Sequence, residues 1–240
     1  MRWVLGYGTA LCILVLIISQ SVIIPTFFMP FFRWHYNRVD ISTGRDIAET
    51  IGISHEDLMY VTIELLDYMR GRRSSLEGIT AEVPGRRIYG ENFFTDLEIR
   101  HMIDVRVLYD RLFIIRNVAF FTLIALILAM ILLKFKPLYF ISKCGRQVMV
   151  LFLVITLIMA GVISINFNRS WDIFHYIFFD NNYWRLTPFV DLMINMVPLH
   201  FFLHISIFVG ILITVFSAAV IGGGTFYLRK NSNSNGYIRS

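Results

Sequence analysis

The sequence predicts an all-helical membrane protein, with four transmembrane helices and an extracytoplasmic cap of mixed helix and short strands. Three observations predict it. Four runs, Trp3 to Ile24, Val118 to Leu133, Val148 to Ile165 and Phe201 to Ile221, carry no Asp, Glu, Lys or Arg. Of 240 residues, 56% are hydrophobic and 16% charged, where a soluble domain carries about 25% charged residues. The charges that remain are divided unevenly among the connections.

A helix needs about 20 mainly apolar residues to cross the hydrocarbon of a bilayer. The first span is set within 1–32. The second run is short and borrows the apolar flank Leu112 to Ile115, giving a span at 112–133. The third and fourth spans fall at 148–166 and 201–224. The first run is read as a retained helix rather than a signal peptide, because it passes the small residues Ser19 and Ser21 and stays apolar to Ile24.

The formal net charge of +5 then resolves into two sides. Arg2, the loop 134–147 (Lys134, Lys136, Lys143, Arg146) and the tail 225–240 (Arg229, Lys230, Arg239) hold basic residues and no acid. Segment 25–117 holds 12 Arg against 14 Asp and Glu, and segment 166–200 holds Arg169 and Arg185 against Asp172, Asp180 and Asp191. The positive-inside rule places both termini and loop 134–147 in the cytoplasm, and the other two connections outside. Nucleic acid is not an expected partner, because the basic side has only short loops. The composition also excludes a disordered chain and a disulfide scaffold, and Cys12 and Cys144 are expected as free thiols.

The outer connection 33–111 is too long for a plain loop and is expected to fold as the cap. Ser54, with Asp57 three residues on, starts a helix at about 55–70. Leu58, Val61, Leu65 and Met69 form its apolar face, and Gly71 ends it. Thr80 to Val83 and Arg87 to Tyr89 are expected as short strands. Thr95 followed by Glu98 is a second capping box. The pattern Leu97, Met102, Val105, Leu108 then runs without a breaker into the second span. Segment 167–200 is rich in aromatics and is expected to begin as an extension of the third helix. Asp180-Asn181-Asn182 form a turn, and Pro188 and Pro198 bracket a short helix. The polar stretch Asn231 to Gly236 is expected to be disordered.

Six histidines are present. His55 reads as a solvated first-turn residue and His35 as an interfacial anchor beside Trp34 and Tyr36. His200 and His204, four apart, have a spacing that suits a metal. No Glu lies between them and no third ligand is evident, so no metal is assigned. His101 and His175 differ, since each sits at the outer end of a membrane helix near a carboxylate, Asp104 for one and Asp172 for the other. An imidazole titrates near 6.5, so such a pair can act as base and acid at neutral pH. There is no G-x-S-x-G, G-x-G-x-x-G or P-loop, and the spans hold no carboxylates of an ion pathway.

His101-Met102-Ile103-Asp104-Val105-Arg106, Phe174-His175 with Ile177-Phe178-Phe179 and Trp184, then Asp191, Pro198 and Phe201-Phe202, resemble the lipoprotein intramolecular transacylases of Gram-positive bacteria. The resemblance covers the four-helix plan and the motifs where cap meets membrane, and nothing between 40 and 94. It implies acyl transfer within one substrate, a lipoprotein whose N-terminal cysteine carries a diacylglyceryl thioether and a free amine. The acyl chain moves from the sn-2 ester to that amine, giving an N-acyl, S-monoacylglyceryl (lyso-form) product. It also implies His101 and His175 as the catalytic pair, in a bacterial cell membrane with the site at the outer surface.

The chemistry fits the residues. Nucleophile and electrophile both belong to the substrate, so no Ser or Cys nucleophile is required, and no cofactor. Asp104, Asp172, Asp191 and Arg106 are the supporting residues. Phe174, Phe178, Phe179, Trp184 and Asn182 are the candidate substrate wall. Arg106, Asn182 or Trp184 Nε1–H could serve an oxyanion. Which histidine is the base stays open, with Asp104 on the same helix face favouring His101. The expected partners are the lipid-modified lipoprotein N-terminus and membrane lipids, and a monomer is expected. The competing readings are another membrane lipid hydrolase using His200 and His204, and a non-catalytic sensor or assembly factor.

Overall fold

A computed structural model describes residues 1–39, 44–81, 92–188 and 190–236. Its helices are α1 (Arg2–Thr26), α2 (Met29–Tyr36), α3 (Ile47–Ile51), α4 (His55–Met69), α5 (Asp96–Leu132), α6 (Pro137–Ile165), α7 (Phe167–Phe178), α8 (Met193–Met196) and α9 (Leu199–Gly236). Four of them are long and apolar enough to cross a membrane: α1, α5, α6 and Leu199–Ser232 of α9. Their apolar side chains point outward. Leu132 is 81% exposed and Leu157 67%, which suits lipid and not water.

The chain divides into two compact units. One comprises Met1–Ile24, Leu112–Ile165 and Ile207–Ser240, and the other Pro25–Arg111 and Asn166–Ser206. In the first, close helix approach rests on small residues. A Cβ on Gly6 of α1 would lie 2.9 Å from Cys144 Sγ of α6, and one on Gly224 of α9 would lie 2.9 Å from the Ser142 carbonyl oxygen of α6. Tyr7 donates to Gln147 Oε1 at 3.0 Å, and Lys143 lies over the Trp3 ring at 4.8 Å. Both cysteines are free, as expected.

The second unit is built on α4. Ser54 caps the helix by accepting from the Asp57 N–H. Leu58, Val61, Leu65 and Met69 are all buried, as their spacing predicts. Gly71 follows the helix with φ +76, where only glycine is unstrained. The Tyr36 hydroxyl meets Thr62 Oγ1 at 2.9 Å, tying α2 to α4. Arg106 of α5 lies over the Tyr68 ring at 4.7 Å and donates to the Arg73 carbonyl at 3.1 Å. The short helix α3 packs on α8.

The structure departs from the expectations in three places, and a fourth expectation lies largely outside the described residues. No strand occurs among the described residues, and a single backbone bond, Phe93 N–H to the Ile79 carbonyl, links the two ends of that stretch. The strands expected at Thr80–Val83 and Arg87–Tyr89 fall largely on 82–91, outside the described residues. α7 is a helix of its own, because Asn166 breaks from helical geometry (φ −152) and caps it by accepting from the Arg169 N–H. The tail expected to be disordered continues α9 to Gly236. α2 and α3 were not anticipated. α2 carries Pro30 in its first turn, and α3 owes its start to a reciprocal box between Asp46 and Glu49.

Candidate active site

The candidate site residues lie in the unit Pro25–Arg111 with Asn166–Ser206. α5 has 37 residues and is about 55 Å long at 1.5 Å per residue. That exceeds the roughly 30 Å of a hydrocarbon core, so a helix of this length has turns to spare beyond a span. Those first turns carry His101 and Asp104. Their start is fixed by the predicted box: Thr95 N–H donates to Glu98 Oε2 at 2.7 Å, and Glu98 N–H to Thr95 Oγ1 at 3.3 Å. Glu98 does more than cap. It is fully buried, and its second oxygen accepts from the Met193 N–H at the start of α8. Asp191, also buried, accepts from the Thr95 hydroxyl at 2.8 Å and the Thr187 N–H at 2.7 Å. Thr187, Asp191 and Met193 are thus tied to the head of α5 by two carboxyl groups.

The clamp and α7 bring His101 and His175 together. Both are buried, and their rings lie 5.9 Å apart at an angle of 35°. Phe179 contacts both, with centroids at 5.2 and 5.6 Å. Trp184 stacks on His175 at 4.6 Å, and Trp171 meets it edge-on at 4.7 Å. His175 Nδ1 is 2.8 Å from the Trp171 carbonyl oxygen. A carbonyl only accepts, so Nδ1 carries the proton and Nε2 presents a lone pair. Burial holds the His175 pKa below its ordinary value, opposed by the Trp171 hydrogen bond and the Asp172 charge. His101 Nδ1 is buried without a hydrogen-bond partner.

The expected site residues fall into three groups. His101, His175, Phe179 and Trp184 come together, with Phe174 at the edge of His175 (5.5 Å). Asp104 and Asp191 act through others: Asp104 accepts from Asn181 Nδ2 at 2.8 Å, and Asp191 serves the clamp. The remainder are exposed or committed to other partners. Asp172 and Asn182 are exposed. Phe178 packs on Phe174 at 4.7 Å and is 49% exposed. Arg106 is committed to the loop after α4, donating to the Arg73 carbonyl. Trp184 Nε1–H is committed as well, donating to the Asn181 carbonyl at 3.0 Å.

Three participants escaped the sequence reading: Asn181, the Trp171 carbonyl and the clamping role of Glu98. Asn181 links Asp104 to Trp184, and its own Oδ1 accepts from the Tyr183 N–H at 3.0 Å. The Asp180-Asn181-Asn182 turn signalled a structured asparagine, and the side chain that reaches the site is one position earlier than expected.

Fold and site together define a multi-pass helical membrane protein with paired buried histidines in an aromatic surround. The family model for the lipoprotein intramolecular transacylase Lit matches residues 7–202, and the chain belongs to that family. It is accordingly an acyltransferase of lipoprotein processing. Among solved structures, it resembles the membrane integral lipoprotein intramolecular transacylase Lit from Bacillus cereus, with a TM-score of 0.76 at 16% identity, covering 97% of this chain and 98% of that one. Two forms of the same protein in which one histidine is replaced, by arginine or by alanine, give TM-scores of 0.70 and 0.71 at 16% and 15% identity. The first covers 98% of this chain and 95% of that one, the second 97% and 96%. Comparison with curated proteins gives no match.

Proposed function

We propose that the protein transfers the sn-2 acyl chain of a lipoprotein's diacylglyceryl group to the α-amine of the same lipidated cysteine, with His175 as base and His101 as its acid partner. The carrying observation is the paired rings at 5.9 Å, with His175 Nδ1 committed to the Trp171 carbonyl. This reverses the preference for His101 as base that Asp104 suggested, since Asp104 is engaged by Asn181.

In the reaction, the neutral amine attacks the ester carbonyl, and Nε2 of His175 takes a proton from the nitrogen as the C–N bond forms. The tetrahedral intermediate collapses as the sn-2 oxygen leaves and takes up that same proton, handed on from His175 through the facing ring of His101. One C–N bond forms, one C–O bond breaks, and the proton passes from nitrogen to oxygen. The amide product is more stable than the ester, so the step runs downhill without an energy source. The cost is positional, because the lipid head must fold back on its own amine. Holding reactants in such a geometry can supply about 7–11 kcal/mol of barrier, and Phe174, Phe179, Trp171 and Trp184 are rigid walls for it. The charge asymmetry supports cytoplasmic termini and a site on the extracytoplasmic face.

The test is mass spectrometry of a defined diacylated lipopeptide incubated with the purified protein. The expected product has unchanged mass and its acyl chain on nitrogen. Release of free fatty acid would instead mark a hydrolase and overturn the proposal. The pH dependence follows from the buried base. His175 must be neutral to act, so kcat/KM falls as pH drops through its pKa, and the acid limb lies below the ordinary imidazole value near 6.5. The substrate amine, near 7.7–8, titrates in a separate limb at higher pH.

A further inference from the structure

A second group of histidines lies in the same unit and takes no part in the chemistry above. His200 and His204 are one helical turn apart on α9, with ring centroids 6.3 Å apart. The spacing suits a metal site, and the missing piece in the sequence was a third ligand. α2 supplies it. The His35 ring lies 4.9 Å from His200 and 5.8 Å from His204. His35 is 1% exposed, and neither of its ring nitrogens has a hydrogen-bond partner. Nδ1 of His204 is buried and unpartnered as well. Buried polar atoms are normally paired, and leaving them bare is costly. Three such nitrogens in one group therefore point to a ligand.

The donor set selects the class of ligand. Neutral imidazoles without carboxylates suit zinc and its neighbours in the first transition row, not magnesium or calcium. Three imidazoles on one zinc ion, with Zn–N of about 2.0–2.1 Å, set ring centroids roughly 5–6 Å apart, close to the separations seen. As the side chains stand, no three His, Cys, Asp or Glu among the described residues are arranged to hold a metal ion. His200 is exposed and His204 half-buried, so their rings have room to turn toward His35. Arg38 is the opposing charge, and it lies over the Trp34 ring at 4.9 Å on the exposed side, where solvent screens it.

We propose that His35, His200 and His204 bind one divalent transition-metal ion of the zinc type, with water in the fourth position, clamping α2 to the start of α9. The test is equilibrium dialysis of the purified full-length protein in detergent against Zn²⁺, with metal per chain measured by elemental mass spectrometry. One Zn²⁺ per chain is expected in the unaltered protein and in the His101→Ala/His175→Ala double variant, and background levels in His35→Ala and His204→Ala. Co²⁺ in place of Zn²⁺ should give the visible absorption of a tetrahedral site, which those two variants lack. His200→Ala, at an exposed position, serves where His35→Ala fails to fold, and should also lose the metal. No bound Zn²⁺ in the unaltered protein overturns the proposal. So does Zn²⁺ retained without His35 or His200, or Zn²⁺ lost with the His101–His175 pair.

Discussion

Replacing His175 by alanine is expected to slow conversion of a diacylated lipopeptide by about 10²–10⁴-fold, the range for losing one general acid or base. His101→Ala should do the same, and the double variant should lose little more than either single one, because the two act on one proton path. Neither change touches an apolar span, so both variants should remain in the membrane fraction. Alanine at 175 also removes a ring packed between Trp171, Phe179 and Trp184, which would itself disturb the surroundings. His175→Asn separates the two effects. Its amide can still donate toward the Trp171 carbonyl, but it offers no base, so it should be as inactive as alanine while keeping more of the thermal stability. Full conversion by both His101→Ala and His175→Ala would remove the pair from the mechanism.

The largest loss of stability is expected at Glu98. Glu98→Ala strips the acceptor from two backbone N–H groups, those of Thr95 and Met193, at a position with no solvent exposure. A buried donor left without a partner costs about 1–3 kcal/mol, so the change should cost about 2–5 kcal/mol. For a chain of this size, each kcal/mol moves the melting temperature by about 2–4 °C. A drop of several degrees should therefore be visible in detergent by fluorescence or circular dichroism. Glu98→Gln keeps one acceptor oxygen and should fall between. Activity should drop along with stability, since the clamp holds Asp191 and Met193 on the same turns of α5 that carry His101. An unchanged melting temperature in Glu98→Ala would show that the clamp carries no weight.

The parts legible in the sequence were those whose cause is local. Ser54 with Asp57, Thr95 with Glu98 and the buried stripe Leu58, Val61, Leu65 and Met69 all rest on partners three or four residues away, which a sequence displays directly. The spans were legible because lipid imposes a length and a composition. His101 and His175 stood out through the family motif. What stayed hidden depends on distant partners or on backbone. Nothing beside Glu98 announces Met193, and nothing beside His175 says that a carbonyl on its own helix fixes its tautomer. Asp104 seemed the natural companion of His101, yet Asn181 claims it from across the fold. His35 was read as an interfacial anchor because its neighbours in the chain are aromatic, while its neighbours in space are two more histidines.

The bonds that define the site join residues far apart in the chain: Asn181 to Asp104 across 77 positions, Met193 to Glu98 across 95 and Asp191 to Thr95 across 96. A ribosome delivers these partners in order. When α5 first emerges, Glu98 has none of the Met193 N–H it will accept, and His101 has no second ring to face. The rest of α5, all of α6 and most of α7 must be made before either partner exists. Contacts of such separation form late, after the local helices. Synthesis order thus acts as a timer for the proposed site: a nascent chain stalled before 166 would carry one histidine of the proposed pair and none of Asn181, Asp191 and Met193 that brace it.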